Sequence, residues 1–500
     1  MKKICSLFTK FLTVCILMIV LLHSLFELSL AAGSFYSEST APHYSDQNRP
    51  DIPTSLVESN YGRDRAFTKQ GSFVSITSTP VFTETAVITG SDVMSNASFG
   101  DSVSIDGDTL VVGTSYDFTG IAGAAYVFAR NAGGVPNSWG EVSKLVPSDS
   151  ALGDNFGTSV AVSGNTIVVG AEYADVGGNL EQGAAYVFEY DSINDSWDEV
   201  AKLVASDGEA DDWFGTSVSI HNDTIVVGAL GNNNFQGAAY VFEWDTNGNP
   251  AAWSEVKKIT ADDGNNYEQF GISVGVSGDN IVVGANAATV SGNSLQGAAY
   301  VFERFAGGTP EGWGQVAKLV GSLGGANDLF GTAVAINNNR IVVGAWGQNS
   351  DLGAAYIYEY PNDVWIETTQ LLAIDGQLGD GFGLGVALLG DTVVIGAPGV
   401  DVNGSSSQGA SYIFQYIFNE WVEIDKLVAS DGTSDDLFGI SVAITDQALA
   451  VGAELKSPVG AAYLFEPVTI NPPLSSITVE DASTSEGAPD QTIRMVTIKR

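Results

Sequence analysis

Cysteine is almost absent from this 500-residue chain, and both copies, Cys5 and Cys15, fall in one N-terminal segment. That segment, residues 1–31, reads as a signal peptide: Lys2 and Lys3, an apolar run from Phe11 to Leu22, then Ser29-Leu30-Ala31 as a small-residue cleavage site. His23 and Glu27 interrupt the apolar run, which favours a cleaved leader over an anchor. The mature chain then has no thiol, so disulfides, a cysteine nucleophile and a thiolate zinc site are excluded. Histidine is scarce too, with only His43 and His221 beyond the leader, which gives no basis for a Ser-His-Asp arrangement.

Positive charge is also missing. The chain carries 20 Lys and Arg against 59 Asp and Glu, a net charge of −39; without the leader the counts are 17 and 58, or −41. Such a surface excludes nucleic acid and anionic membranes as partners. No second apolar stretch is long enough to span a bilayer, and no cysteine follows the leader to take a lipid, so no membrane insertion of the mature chain is expected. Secretion, or display at the cell surface, is the reading that remains.

What is present is a repeat. Phe-Gly pairs begin at Phe99, Phe156, Phe214, Phe270, Phe330, Phe382 and Phe438, spaced 57, 58, 56, 60, 52 and 56 residues apart. That period suits one propeller blade. After each pair come eleven columns that align without a gap, from VSIDGDTLVVG in the first unit to VAITDQALAVG in the seventh. Alternating apolar residues meet a two-residue turn, such as Asp106-Gly107 or Ser163-Gly164, then a valine-rich run; this predicts an antiparallel hairpin. A third piece reads GAAYVF or a close variant from Gly123, Gly183, Gly237, Gly297, Gly353, Gly409 and Gly460. Its small residues let a neighbouring backbone approach while Tyr and Phe fill the space between blades. A fourth carries Trp139, Trp197, Trp253, Trp313, Trp365 or Trp421, with Leu or Ile six positions on.

The seventh unit lacks its fourth piece, because Phe465 runs straight into Glu466-Pro467. Phe82 stands upstream in the tryptophan column, Ile88 follows six later, and the gap from Ile88 to Phe99 equals that from Leu145 to Phe156. The expected fold is therefore all-β: a seven-bladed propeller of four-stranded antiparallel blades over residues 81–466. Its ring is closed by an N-terminal strand that completes the last blade, which removes open sheet edges.

The Phe-Gly starts, the Gly-Ala after the second strand (Gly396-Ala397-Pro398 in its full form) and GAAYVF resemble FG-GAP repeats, those of the integrin α-subunit propeller and of many bacterial secreted proteins. The resemblance implies a seven-bladed extracellular binding or adhesion propeller. One departure stands out: calcium-binding integrin blades carry a DxDxDG-type loop between strands one and two, whereas this turn is two residues long in every blade. Those calcium sites are not carried over.

Residues 32–80 are polar and aperiodic, a linker or arm. Residues 467–500 hold Pro472 and Pro473, then strand-like alternation from Ile477 that weakly resembles the opening of a Calx-β-type sandwich, too short for a domain.

Chemistry is harder to find. Gly271-Ile272-Ser273-Val274-Gly275 matches the GxSxG pattern but lies on a first strand where sister units write GTSVA or GTSVS, without the strand-turn-helix context a hydrolase needs. Strand order puts the loops joining strands two to three and four to one on one face, opposite the hairpins. On that face an Asp stands seven residues before Phe in six units (Asp92, Asp149, Asp207, Asp263, Asp375, Asp431), and an acid two before it in six (Asp154, Asp212, Glu268, Asp328, Asp380, Asp436). Two readings compete. The pairs fold their loops by accepting backbone N–H groups, or they offer oxygens to calcium, with Asp207, Asp212, Asp431 and Asp436 as candidates. A feature written into nearly every blade serves the blade, which favours the first.

Departures from the repeat gather in the two-to-three loops. Tyr116, Tyr173, Phe235 and Trp346 there, with Trp213 and Tyr267 beside them, could present aromatic faces to a glycan or a protein; packing over the blade tops is the alternative. The function expected is a non-enzymatic binding or adhesion module. An accessory carbohydrate-recognition module and a carboxylate-based glycoside hydrolase are the runners-up.

Overall fold

The computed structural model describes residues 82–467, apart from 96, 118–122, 135–137, 246–251 and 307–311, together with the backbone of two short strand pairs, Ala66–Phe67 with Phe73–Val74 and Ser476–Ala482 with Ile493–Lys499. The leader lies outside the described residues, as does nearly all of the polar arm.

Seven four-stranded antiparallel sheets follow one another. Blade two shows the plan: Phe156–Ser163, Thr166–Ala171, Ala184–Asp191 and Ser196–Leu203, each strand paired with the next. The hairpin turns take the left-handed conformation that their residues suit, with Gly107, Gly164, Asn222, Gly278, Asn338 and Gly390 at φ between 52° and 58°. Blade seven differs. There Thr445 Oγ1 accepts from the amides of Gln447 and Ala448, and this side-chain bond organises the turn without a glycine or asparagine.

Blades join through one repeated contact. The third-strand glycine of each blade forms a parallel bridge to the Phe of the next, from Gly123 with Phe156 round to Gly460 with Phe99. A side chain at Gly183 would put its Cβ 2.1 Å from the carbonyl oxygen of Phe214, so only glycine allows that approach. First-strand serines seal five junctions: Ser102, Ser159, Ser217, Ser273 and Ser441 donate to the carbonyls of Gly157, Gly215, Gly271, Gly331 and Gly100 at 2.7 to 2.9 Å. Ser273, the serine of the GxSxG match, is thus an inter-blade fastener.

The ring closes as the sequence predicts. Phe82–Ile88 pairs with Ala461–Pro467 as the outer strand of blade seven, and the register shift between Glu84 and Ala86 repeats the bulge of the other outer pairings, such as that between Val187 and Phe188. Apolar cores lie between blades. In every blade the Phe of Phe-Gly meets the third-strand Tyr at 5.3 to 5.6 Å between ring centres, and these tyrosines are fully buried.

Candidate binding face

The loops joining strands two to three pair with the four-to-one loops that lead into the next blade, so both stand on one face: Asp211 and Trp213 donate to the carbonyls of Leu180 and Glu181, and Tyr267 and Gln269 to those of Asn234 and Phe235.

Both carboxylate columns lie on this face, and their oxygens are committed. The first column ties three strands together. Tyr126, Tyr186, Tyr240, Tyr300, Tyr412 and Tyr463 donate their hydroxyls to Asp92, Asp149, Asp207, Asp263, Asp375 and Asp431 at 2.7 to 3.0 Å. Fourth-strand lysines Lys144, Lys202, Lys258, Lys318 and Lys426 bind the other oxygen of the first five at 2.5 to 2.7 Å. Hydrogen bonds from Lys144 and Tyr126 hold Asp92 below the ordinary carboxylate range. Partial burial would raise Asp149, Asp207 and Asp263, but the same two bonds outweigh it and hold them low as well. Burial in turn pushes Tyr186, Tyr240, Tyr300, Tyr412 and Tyr463 well above a free phenol.

Two blades solve the same problem differently. Blade five has Leu323 for the aspartate and Gln370 for the lysine, and there Gln348 and Gln370 both bond the Tyr356 hydroxyl, at 2.7 and 3.0 Å. Blade seven has Val87 in the lysine column, and Lys456 arrives instead from the two-to-three loop.

The second column folds turns. Asp154, Asp212, Glu268, Asp328, Asp380 and Asp436 are buried and accept the amides of Ala151, Glu209, Asn265, Gly325, Gln377 and Thr433, three residues upstream. Burial raises Asp154, Asp212, Asp328 and Asp380 despite those bonds. Of the calcium candidates, Asp207 is bound by Tyr240 and Lys258, and Asp212 by the Glu209 amide and Asn232. Asp431 and Asp436 share Lys456. Among the described residues no group of three or more His, Cys, Asp or Glu side chains is arranged to hold a metal.

Four of the six aromatic candidates come together. Tyr173 packs on Trp213 at 5.5 Å, Trp213 on Phe235 at 5.1 Å, and Phe235 stacks on Tyr267 at 6.4 Å, a continuous run across blades two to four. Trp346, half-buried in blade five, is not part of it. Tyr116 lies next to the end of the second strand Thr109–Asp117, and its side chain lies outside the described residues.

Backbone geometry sets one member of this run, Tyr267, apart from loop packing. Tyr267 stands three residues before Phe-Gly at φ 68°, a left-handed position that sister blades fill with Gly153, Asp211, Asn327, Gly379 and Asp435. Those residues tolerate positive φ; a tyrosine does not readily. Trp213 and Phe235 are left-handed as well, at 55° and 58°, but so are Gln269, Leu329 and Leu437 in the first column and Glu181 and Leu295 in the second, so that conformation is common to the blades at those two positions. Tyr267 is also 64% exposed, so little burial offsets its backbone cost.

The lysine column was visible in the sequence, always one residue before the fourth-strand Leu or Ile. Its link to the aspartates needs the register of strands three and four, because Tyr186 pairs with Lys202 across them.

A family model described as FG-GAP repeat matches seven times, over residues 82–128, 139–188, 197–242, 253–302, 313–358, 365–414 and 421–465. Each match starts on a fourth strand and ends on a third, so the sequence repeat is offset from the structural blade by one strand. That offset is what lets an N-terminal strand complete the ring. Among solved structures, the crystal structure of Saccharomyces cerevisiae Sqt1 aligns at a TM-score of 0.42 and 8% identity, covering 83% of this chain and 95% of that one. No curated protein matches the chain. Seven matches in phase with seven blades place the chain in the FG-GAP repeat family.

Proposed function

We propose that this propeller is a secreted or surface-associated, non-enzymatic binding module whose variable-loop face takes an extracellular protein or glycan on the run Tyr173–Trp213–Phe235–Tyr267. Export rests on the leader-like N-terminus. The observation that carries the binding reading is Tyr267, an exposed ring on a left-handed residue where five sister blades place Gly, Asp or Asn. A side chain kept against backbone preference and without burial serves something other than the fold.

A second reading, an accessory carbohydrate-recognition module of a polysaccharide-degrading system, draws on the same exposed ring, because sugars stack on aromatic faces. Glycoside hydrolysis has less support: it needs two carboxylates free to act as acid and nucleophile, and both rim columns are engaged by Tyr, Lys or backbone amides.

The test is an array of glycans and extracellular proteins probed with the full chain and with Phe235→Asp, the residue blade five carries at that position. Binding by the parent that the variant loses supports the reading. Binding retained by the variant removes the aromatic run from it.

A further inference from the structure

The residue two after the second-strand glycine meets the first strand of the next blade, and around the ring these pairs match in character. Glu172 accepts from Thr216 at 2.9 Å, and Asn286 donates to Thr332 at 3.2 Å. By position the remaining pairs are Ser115 with Thr158, Leu230 with Ile272, Trp346 with Leu384, Pro398 with Ile440 and, at the junction where the ring closes, Glu454 with Asp101. Six junctions pair like polarity without like charge. By the same position the closing one brings together two carboxylates, and Glu454 feels the charge of Asp101.

Both groups are partly buried. Asp101 is bonded by the Ser115 hydroxyl from its own blade and feels the charge of Glu172 from blade two. The one lysine near Glu454 in the chain, Lys456, is taken by Asp431 and Asp436. The contacts that hold this junction run alongside: Ser441 Oγ donates to the Gly100 carbonyl at 2.7 Å, and the Phe99 amide to Val459 at 3.2 Å. Two charges so placed repel across a junction that cannot relax without moving these bonds.

We propose that the Glu454–Asp101 pair makes closure of the ring between blades seven and one depend on proton binding, tight in mildly acid solution and loosened toward neutral and alkaline pH. Burial, against the Ser115 bond, pushes Asp101 from 3.8 up to about 6; burial and then the charge of Asp101 push Glu454 from 4.5 up to about 7. A carboxyl raised in the folded state holds its proton more tightly there than in the unfolded chain. Its stabilising effect is complete below the unfolded value and is lost as pH climbs through the folded one, which places the loss between pH ~4 and ~7.

The test uses the full chain and two variants drawn from its own sister blades, Asp101→Thr and Glu454→Asn, with Glu454→Gln as the near-isosteric version. Tm is measured at pH 5 and pH 8. The parent should melt about 3 °C lower at pH 8, and each variant should close at least half of that gap. Amide exchange, referenced at each pH to unstructured peptides, should show the pH-dependent loss of protection in Ala97–Asp106, Leu449–Ala453 and Ala461–Pro467 rather than in blades three and four. Variants that keep the whole gap, or a loss of protection spread evenly round the ring, would overturn the proposal.

Discussion

Lys456 lies 3.5 Å from the carboxylate of Asp431 and 3.1 Å from that of Asp436, reaching from a variable loop the place that a fourth-strand lysine fills in five other blades. The closing strand contributes Val87 at that register, opposite Tyr463. A cation lost from one element has been supplied by another, which identifies the Tyr-Asp-Lys cluster as a supporting device of six blades, replaced in blade five by glutamines on the Tyr356 hydroxyl.

Lys456→Ala should therefore destabilise the ring by about 1–3 kcal/mol, because it leaves Asp436, buried at 1% exposure, without its cation. Adding Val87→Lys to that variant should recover most of the loss by restoring the arrangement of the other blades. Urea unfolding of the two variants reads the difference, and a second substitution without effect would show that the cluster's geometry is not transferable.

Removing Phe82–Ile88 leaves blade seven with three strands and Ala461–Pro467 as an open edge. The expected product self-associates and melts at a lower temperature. Light scattering and a melt check this, and a monomer with unchanged Tm would contradict closure by this strand.

Two glycines with positive φ should behave oppositely. Gly183→Ala drives a methyl against the Phe214 carbonyl at a blade junction, costing about 3 kcal/mol, whereas Gly177, with open space around it, should lose about 1 kcal/mol for its backbone alone. Equal losses would mean that the junction is not close-packed.

Asp207, Asp212, Asp431 and Asp436 spend their oxygens on Tyr, Lys, Asn and amide donors. Melts in millimolar calcium and in chelator should coincide. A calcium-dependent rise in Tm would instead mean that the metal displaces Lys258 or Lys456.

The ring was legible in the sequence because each blade repeats its own instructions. The eleven gapless columns give two strands and a turn, and the tryptophan column exposes the missing strand and its replacement at Phe82. The carboxylate columns were legible too, but their partners were not. Tyr240 and Lys258 meet Asp207 only once strands three and four are in register, from 33 and 51 residues away. The aromatic run was legible as six scattered residues; that four of them touch depends on neighbouring blades bringing their loops together. The positive φ of Tyr267 could be inferred only by alignment with Gly153 and Asn327, one at a time.

The loop face carries two kinds of residue: repeated carboxylates that hold the blades, and aromatics that break the repeat and that we propose as the ligand contact. The direct test sets the double variant Trp213→Asn with Tyr267→Asn beside Asp207→Ala, measuring Tm and array binding for both. The aromatic variant should keep its Tm and lose binding, and Asp207→Ala should lose about 1–3 kcal/mol of stability while the folded fraction still binds. An aromatic variant that unfolds easily, or that binds as the parent does, would contradict it.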